Sequence, residues 1–204
     1  GVQTCALPIY LVEAVDKTLS SYTIKEGTKW IGNSAFEDCS SMTSVIIPNS
    51  VTSIESSAFR GCSSLPVVDN LRYADTYLVE AVDKTLSSYT IKEGTKWIGN
   101  GAFKDCSSMT SVIIPNSVTS IGEDAFYRCS SLTSVTIPNS VTSIGSSAFL
   151  GCNSLPVIDN IRYADTYLVE AVDERLSAYT IKEGTKWIGS NAFKDCNSMT
   201  SVII

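Results

Sequence analysis

Cys106-Ser-Ser-Met109-Thr-Ser-Val112-Ile-Ile114-Pro115-Asn-Ser-Val118-Thr-Ser-Ile121-Gly122-Glu-Asp-Ala125-Phe126-Tyr-Arg128 is followed without a gap by a second version of itself. Residues 129–151 carry Cys129, Leu132, Val135, Ile137, Val141, Ile144, Ala148 and Phe149 in the matching places. Outward from this pair the same unit marks the whole chain. Ala-Phe recurs at Phe36, Phe59, Phe103, Phe126, Phe149 and Phe193, spaced by 23, 44, 23, 23 and 44 residues, and a cysteine follows each phenylalanine by three. A fixed period of this length is the signature of a stacked solenoid, in which each coil buries its apolar face only against its neighbours.

Each 44-residue interval resolves into two coils, because Asp83-Lys-Thr-Leu86-Ser-Ser-Tyr89-Thr-Ile91 aligns without gaps onto Cys129-Ser-Ser-Leu132-Thr-Ser-Val135-Thr-Ile137. Coils then begin at Asp16, Cys39, Cys62, Asp83, Cys106, Cys129, Cys152, Asp173 and Cys196. Apolar residues at coil positions 7 and 9 alternate as in a strand with one buried face. A second short strand is expected at Val118-Thr-Ser-Ile121, after a corner at Pro115-Asn116-Ser117, where proline fixes φ and lacks a donor. The Gly122 column forms the next corner, and Ala-Phe is expected to face inward from a short helical or 3₁₀ turn. The shorter coils, 62–82 and 152–172, lack Ala-Phe; two β-prone runs around Ala74-Asp75-Thr76, and their near-copy from Ile161, predict a small hairpin instead. The expected fold class is a mainly β repeat solenoid, an array of 21–23-residue coils with short strands and short helical turns.

Residues 10–54 and 77–121 match almost perfectly, but residues 1–9 (GVQTCALPI) share nothing with the corresponding later stretch. They read as a non-native or adapter-derived segment, with a genuine divergent start as the alternative. The chain ends at Ser201-Val-Ile-Ile204, where earlier copies continue with Pro-Asn-Ser. Residues 10–204 therefore read as a solenoid fragment truncated at both ends.

Leu132-x-x-Val135-x-Ile137 has the spacing of a leucine-rich repeat. The fuller pattern Cys-x-Ser-Leu-x-Ser-Val-x-Ile-Pro-x-Ser-Val-x-x-Ile-Gly-x-x-Ala-Phe resembles the bacterial surface protein A (BspA)-like leucine-rich repeat family over about residues 10–204. One departure is the ladder asparagine of general leucine-rich repeats: its column here holds Ser117 and Ser140, with Asn116 and Asn139 one place early. The resemblance implies a cell-surface or secreted protein that adheres to host matrix proteins or to other cells, with protein or glycan as partner. A structural or variable surface array and an intracellular interaction scaffold are the competing classes.

The residues themselves offer no footing for catalysis or cofactors. The chain has no histidine, so serines and threonines lack an activating base, and no Gly-x-Ser-x-Gly elbow occurs. The cysteines stand alone within each coil, without zinc-ligand spacing. Stacked coils should hold neighbouring thiols about 4.8 Å apart with parallel Cβ vectors, which suits a buried thiol ladder better than disulfides. Asp16, Asp83 and Asp173 replace cysteine in that column and suggest a wetter corner. A net charge of −6 with no basic stretch gives no electrostatic footprint for nucleic acid. No apolar run reaches the ~20 residues of a membrane-spanning helix.

Two surfaces remain as candidate partner-binding sites. The first strand's outward residues, Thr110, Ser111, Ile113, Thr133, Ser134 and Thr136, form an uncharged face that could bind an extended protein or glycan, or could be a β-rich surface kept soluble by hydroxyls. Trp97, like Trp30 and Trp187, occupies a column held elsewhere by Ser53, Ser120 or Ser143 and expected to point outward. It is either an interface anchor or a cover over the preceding hairpin near Tyr77 and Leu78.

Overall fold

The computed structural model describes residues 9–204. The expectation for residues 1–9 lies outside the described residues, except that Ile9 opens the first strand. The chain is a β-solenoid of about eight turns with a repeat of ~23 residues. Its strands fall in two columns, parallel between successive coils.

The second column runs through Trp97–Ile98, Ser120–Ile121 and Ser143–Ile144, each paired in parallel with the next. Trp97 lies opposite Ser120, and Ser120 opposite Ser143. The first column is broken into separate two-stranded pairs. Ser21–Thr23 pairs with Ser44–Ile46, Ser88–Thr90 with Ser111–Ile113, and Ala178–Thr180 with Ser201–Ile203. In Ser44–Ile46, Ser88–Thr90 and Ser111–Ile113 only the central residue is buried, as alternation requires.

The shorter coils interrupt the first column. Val67–Val68, Leu71–Ala74 and Tyr77–Ala81 form an antiparallel meander, and Val157–Ile158, Ile161–Ala164 and Tyr167–Ala171 repeat it. The expected hairpin is thus present, extended by one short strand. Asp69 and Asn70 both have positive φ (49° and 63°), the requirement of a tight two-residue hairpin turn whose twist matches its strands. Tyr77 and Leu78 then lie parallel to Trp97 and Ile98, so the second column resumes from the hairpin's last strand, while Ser53–Ile54 before it ends a separate sheet.

The Ala-Phe segment is not a helix. Its hydrogen bonds alternate in direction. Ala35, Glu37 and Cys39 N–H donate three residues back within the coil, whereas Ser34, Phe36 and Asp38 N–H donate to the carbonyls of Ser56, Ala58 and Arg60 in the next coil at 2.7–3.0 Å. Left-handed residues at Ser34 (φ 58°) and Asp38 (φ 61°) turn alternate amides along the solenoid axis. A helix would need every amide to point back along its own axis. The segment is therefore a corner that also pairs with the next coil.

The core is a set of columns. Phe103, Phe126 and Phe149 stack with centroid separations of 5.1 and 5.0 Å and planes within 5°. Tyr167 takes the next place in the stack, tilted at 5.5 Å, and Tyr77 does the same after Phe59. The aspartate-led coils show a paired exchange. Tyr89 fills the valine place, packs edge-on against Phe103 at 5.3 Å, and donates its hydroxyl to the Asp83 carbonyl. Tyr179 makes the same bond to Asp173 at 2.5 Å. The two hydroxyls also lie 3.9 and 3.4 Å from the Cys106 and Cys196 sulfurs of the following coils. The aspartate side chain, freed from the core, accepts from the backbone N–H and hydroxyl of Thr85 at 2.9 and 2.7 Å. These bonds from Thr85 hold the Asp83 carboxyl below its usual range, in keeping with the wetter corner.

Candidate functional site

All six candidate residues on the first strand's outer face are exposed, while Val112, Ile114, Val135 and Ile137 between them are buried. Ile113 is 64% exposed and stands as an apolar point in a hydroxyl-bearing surface. The six residues do not share one regular sheet. Ser111 and Ile113 lie in the strand paired with Ser88–Thr90, but residues 133–136 join the face through the Thr133 N–H bond to the Thr110 carbonyl at 3.2 Å, without forming a strand.

The hydroxyls on this face divide into two kinds. Those of Thr110 and Thr133 donate to the backbone carbonyls of Ser87 and Thr110, at 2.9 and 3.2 Å, and thereby form a ladder that ties successive coils. Among the described residues, none is hydrogen-bonded to the side chains of Ser111, Ser134 and Thr136. Those three hydroxyls stand uncommitted on the face beside exposed Ile113.

Trp97 is placed differently from the outward-pointing expectation. It is 9% exposed and belongs to the same apolar cluster as Ala74, Tyr77, Phe59, Ile47 and Val51. Its backbone register is opposite Tyr77. Trp97 thus covers the preceding hairpin coil and reaches toward the coil before it. Trp187 is half-buried, and its indole packs against the cluster containing Tyr167 and Val169. The neighbouring lysines follow the same path. Lys96 Nζ donates to Asn49 Oδ1 and Lys186 Nζ to Asn139 Oδ1, both at 2.7 Å and both reaching two coils back.

The hairpin coils carry further devices that the sequence pattern alone did not reveal. Asp75 Oδ2 accepts the Ile47 N–H, and Asp165 Oδ2 the Ile137 N–H, both at 2.9 Å. On the other side, the Tyr73 hydroxyl accepts the Lys92 N–H at 3.1 Å and the Tyr163 hydroxyl the Lys182 N–H at 3.0 Å. Side chains here replace main-chain pairing that the broken first column would otherwise supply. Arg72 locks the meander by bonding to Glu80 at 2.9 Å and to the Leu65 carbonyl at 3.0 Å, and Arg162 repeats this with Glu170 and Leu155. The only signal for these roles was the duplicated Arg-Tyr-Ala-Asp-Thr string.

The six cysteines from Cys39 onward are buried free thiols. Cys62, Cys129 and Cys152 donate to the carbonyls of Phe36, Phe103 and Phe126 at 3.0–3.1 Å, each 26 residues upstream. Burial pushes the Cys62 thiol up to about 12 and raises those of Cys39 and Cys106. Such groups are poor nucleophiles, because reactivity belongs to the thiolate. Among the described residues no cluster of three or more acidic, cysteine or histidine side chains could hold a metal, and no helix is long and apolar enough to cross a membrane.

Stacked parallel coils, with inward Leu/Met, Val, Ile and Phe columns, define a leucine-rich-repeat solenoid. A sequence profile described as the BspA type Leucine rich repeat region matches residues 15–81 and 81–200 in six copies. The chain belongs to this family. The family and fold are those of non-enzymatic repeat proteins. No curated protein sequence matches the chain. Among solved structures, a leucine rich cell surface protein from Faecalibacterium prausnitzii is 27% identical with a TM-score of 0.43, over 91% of this chain and 61% of that one. The T. pallidum leucine rich repeat protein is 24% identical (TM-score 0.40; 95% and 73% covered), and a leucine-rich repeat protein from Eubacterium ventriosum is 18% identical (TM-score 0.46; 96% and 78%). The chain therefore spans less than two thirds of the length of the F. prausnitzii protein.

Proposed function

We propose that this array is a protein-binding module of a cell-surface or secreted protein, engaging a host matrix protein or another cell's surface through the outer face of the first strand column. The observation that carries the reading is the exposure of Ser111, Ile113, Ser134 and Thr136 on one uncharged face above a fully buried layer. Free hydroxyls beside an exposed isoleucine suit an extended polypeptide or a glycan, which offers both hydrogen-bonding groups and apolar edges. Surface localisation rests on family membership. The free thiols do not require a reducing compartment, since burial and carbonyl bonding already shield them from exchange.

The test is binding to immobilised matrix proteins by the parent chain and by the double variant Ser134→Glu, Thr136→Glu. Both side chains point away from the core, so the circular dichroism spectrum and melting temperature should hold. Binding should fall at least about tenfold, because an interface closing over two carboxylates leaves them desolvated and unpaired. Undiminished binding by the folded double variant would remove this face from consideration.

A further inference from the structure

The hairpin coils leave gaps in the corner ridge. At ordinary junctions the alternating amides of one corner all find acceptors in the next coil. Gly101, Phe103 and Asp105 donate to Glu123, Ala125 and Tyr127; Asp124, Phe126 and Arg128 donate to Ser146, Ala148 and Leu150, at 2.7–3.0 Å. Coil 62–82 has no Ala-Phe corner. The corresponding amides, Ser57, Phe59 and Gly61, consequently have no acceptor among the described residues. They line a notch of about 190 Å³ together with Tyr77, Val79, Asn100, Gly101 and Glu80, whose carboxylate is paired with Arg72.

Three parallel donors on alternate residues are the edge of an unfinished ladder. Within this protein the same edge is elsewhere completed by the carbonyls of alternate residues of a polypeptide. The cationic side chains around the notch are already committed: Arg60 to Glu37 at 3.4 Å, Lys104 to Asp124 at 3.0 Å and Lys84 to the Lys104 carbonyl at 2.7 Å. The unspent chemistry is therefore main-chain donation rather than charge. The aromatic place is also filled, since Tyr77 lies 5.4 Å from Phe59 in the ring stack. What remains is room for backbone and small side chains.

We propose that this notch binds a partner polypeptide of small, uncharged residues, which lies along the ridge and gives alternate carbonyls to Ser57, Phe59 and Gly61. This is strand addition transferred to a corner: backbone bonds supply affinity, and the narrow notch supplies selection. The notch lies on the corner ridge, not on the strand face, so the two surfaces are independent. The second hairpin coil leaves the same amides of Ser147, Phe149 and Gly151 without acceptors among the described residues, but there the hydroxyls of Ser146 and Ser190 meet at 2.9 Å across the gap. The first notch is the open one.

The probe is a synthetic peptide of residues 145–151 carrying Phe149→Ala, because in the intact chain the carbonyls of Ser146, Ala148 and Leu150 complete this kind of edge. Amide exchange is read by NMR on the full chain. Without peptide, Ser57, Phe59 and Gly61 should exchange far faster than Ser34, Phe36 and Asp38. Peptide at a concentration that fills nine tenths of the sites should slow those three by about tenfold. The variant Val79→Trp, which fills the notch, should abolish the slowing. Protection of the three amides in the free protein overturns the proposal. So does peptide-dependent slowing confined to Asn191, Phe193 and Asp195 at the end of the array, or no slowing at all. Should Val79→Trp unfold locally, the exchange measurements on the parent chain still decide the matter.

Discussion

Asp75 accepts a hydrogen bond from the backbone of Ile47, a residue of the preceding coil that is distant in sequence but adjacent in space, at 2.9 Å. Asp165 does the same for Ile137. Each hairpin tip thus pairs a first-column backbone amide that the hairpin itself has deprived of its neighbour. Asp75→Ala should leave the Ile47 N–H unpaired in a partly buried setting, at a cost of about 1–3 kcal/mol. Asp75 also has φ 55°, so the alanine adds backbone strain that asparagine avoids. Asp75→Asn keeps an acceptor oxygen and should recover most of the loss. Denaturant melts of the two variants, with exchange at Ile47, measure the difference; equal destabilisation would deny the cap a role.

Trp97→Ser restores the residue that ordinary coils carry at this position, yet it should destabilise. The indole is buried in a cluster that joins the hairpin coil to the coils before it. Truncating a buried aromatic costs about 3–5 kcal/mol. Hydrogen exchange should show the damage around residues 39–105 and leave the Phe126–Phe149 stack protected. Partner binding through the strand face should survive under conditions where the variant remains folded.

Phe126 stacks between Phe103 and Phe149 in the middle of the longest ring column. Phe126→Ala should cost about 3–5 kcal/mol. Coupling runs between nearest neighbours, so exchange protection should fall in coils 83–105, 106–128 and 129–151. A uniform loss over all coils would contradict the quasi-one-dimensional description.

Alkaline pH should weaken the fold by a defined route. Burial raises the Cys62 thiol from 9.0, and the Tyr77 phenol from 10.0, each to about 12. Both groups are neutral in the folded chain and ionise more readily unfolded. Their contribution is complete below pH 9 and declines as pH climbs from 9 toward 12, with a slope of up to about 1.4 kcal/mol per pH unit for each. Urea midpoints between pH 7 and 12 check the sign. A midpoint that rises above pH 9 would be the wrong one.

The thiols offer a direct count. Cys39, Cys62, Cys106, Cys129, Cys152 and Cys196 are buried and free. A small alkylating reagent should label few of them in native buffer and all six after denaturation without reductant, with Cys5, outside the described residues, counted separately. Mapping an intramolecular disulfide among the six would overturn the thiol ladder.

What the sequence by itself determined is whatever a periodic pattern can carry. The repeat length, the inward columns and the family are all local spacings, and burial of Val135 and Ile137 follows from alternation alone. The hairpin in coils 62–82 and 152–172 was legible because Ala-Asp-Thr interrupts two β-prone runs. The tertiary structure decided what depends on pairs far apart in the chain. The corner expected as a helical turn became a ladder, because left-handed residues aim alternate amides at the following coil. Trp97, read either as an outward anchor or as a cover over the hairpin, takes the second place, because the hairpin beneath it changes what its column faces. Thr110 and Thr133 looked identical in kind to Ser111 and Ser134, yet their hydroxyls are spent on carbonyls one coil upstream. A repeat read one coil at a time shows which face a residue is on; only stacking shows which neighbour it meets there.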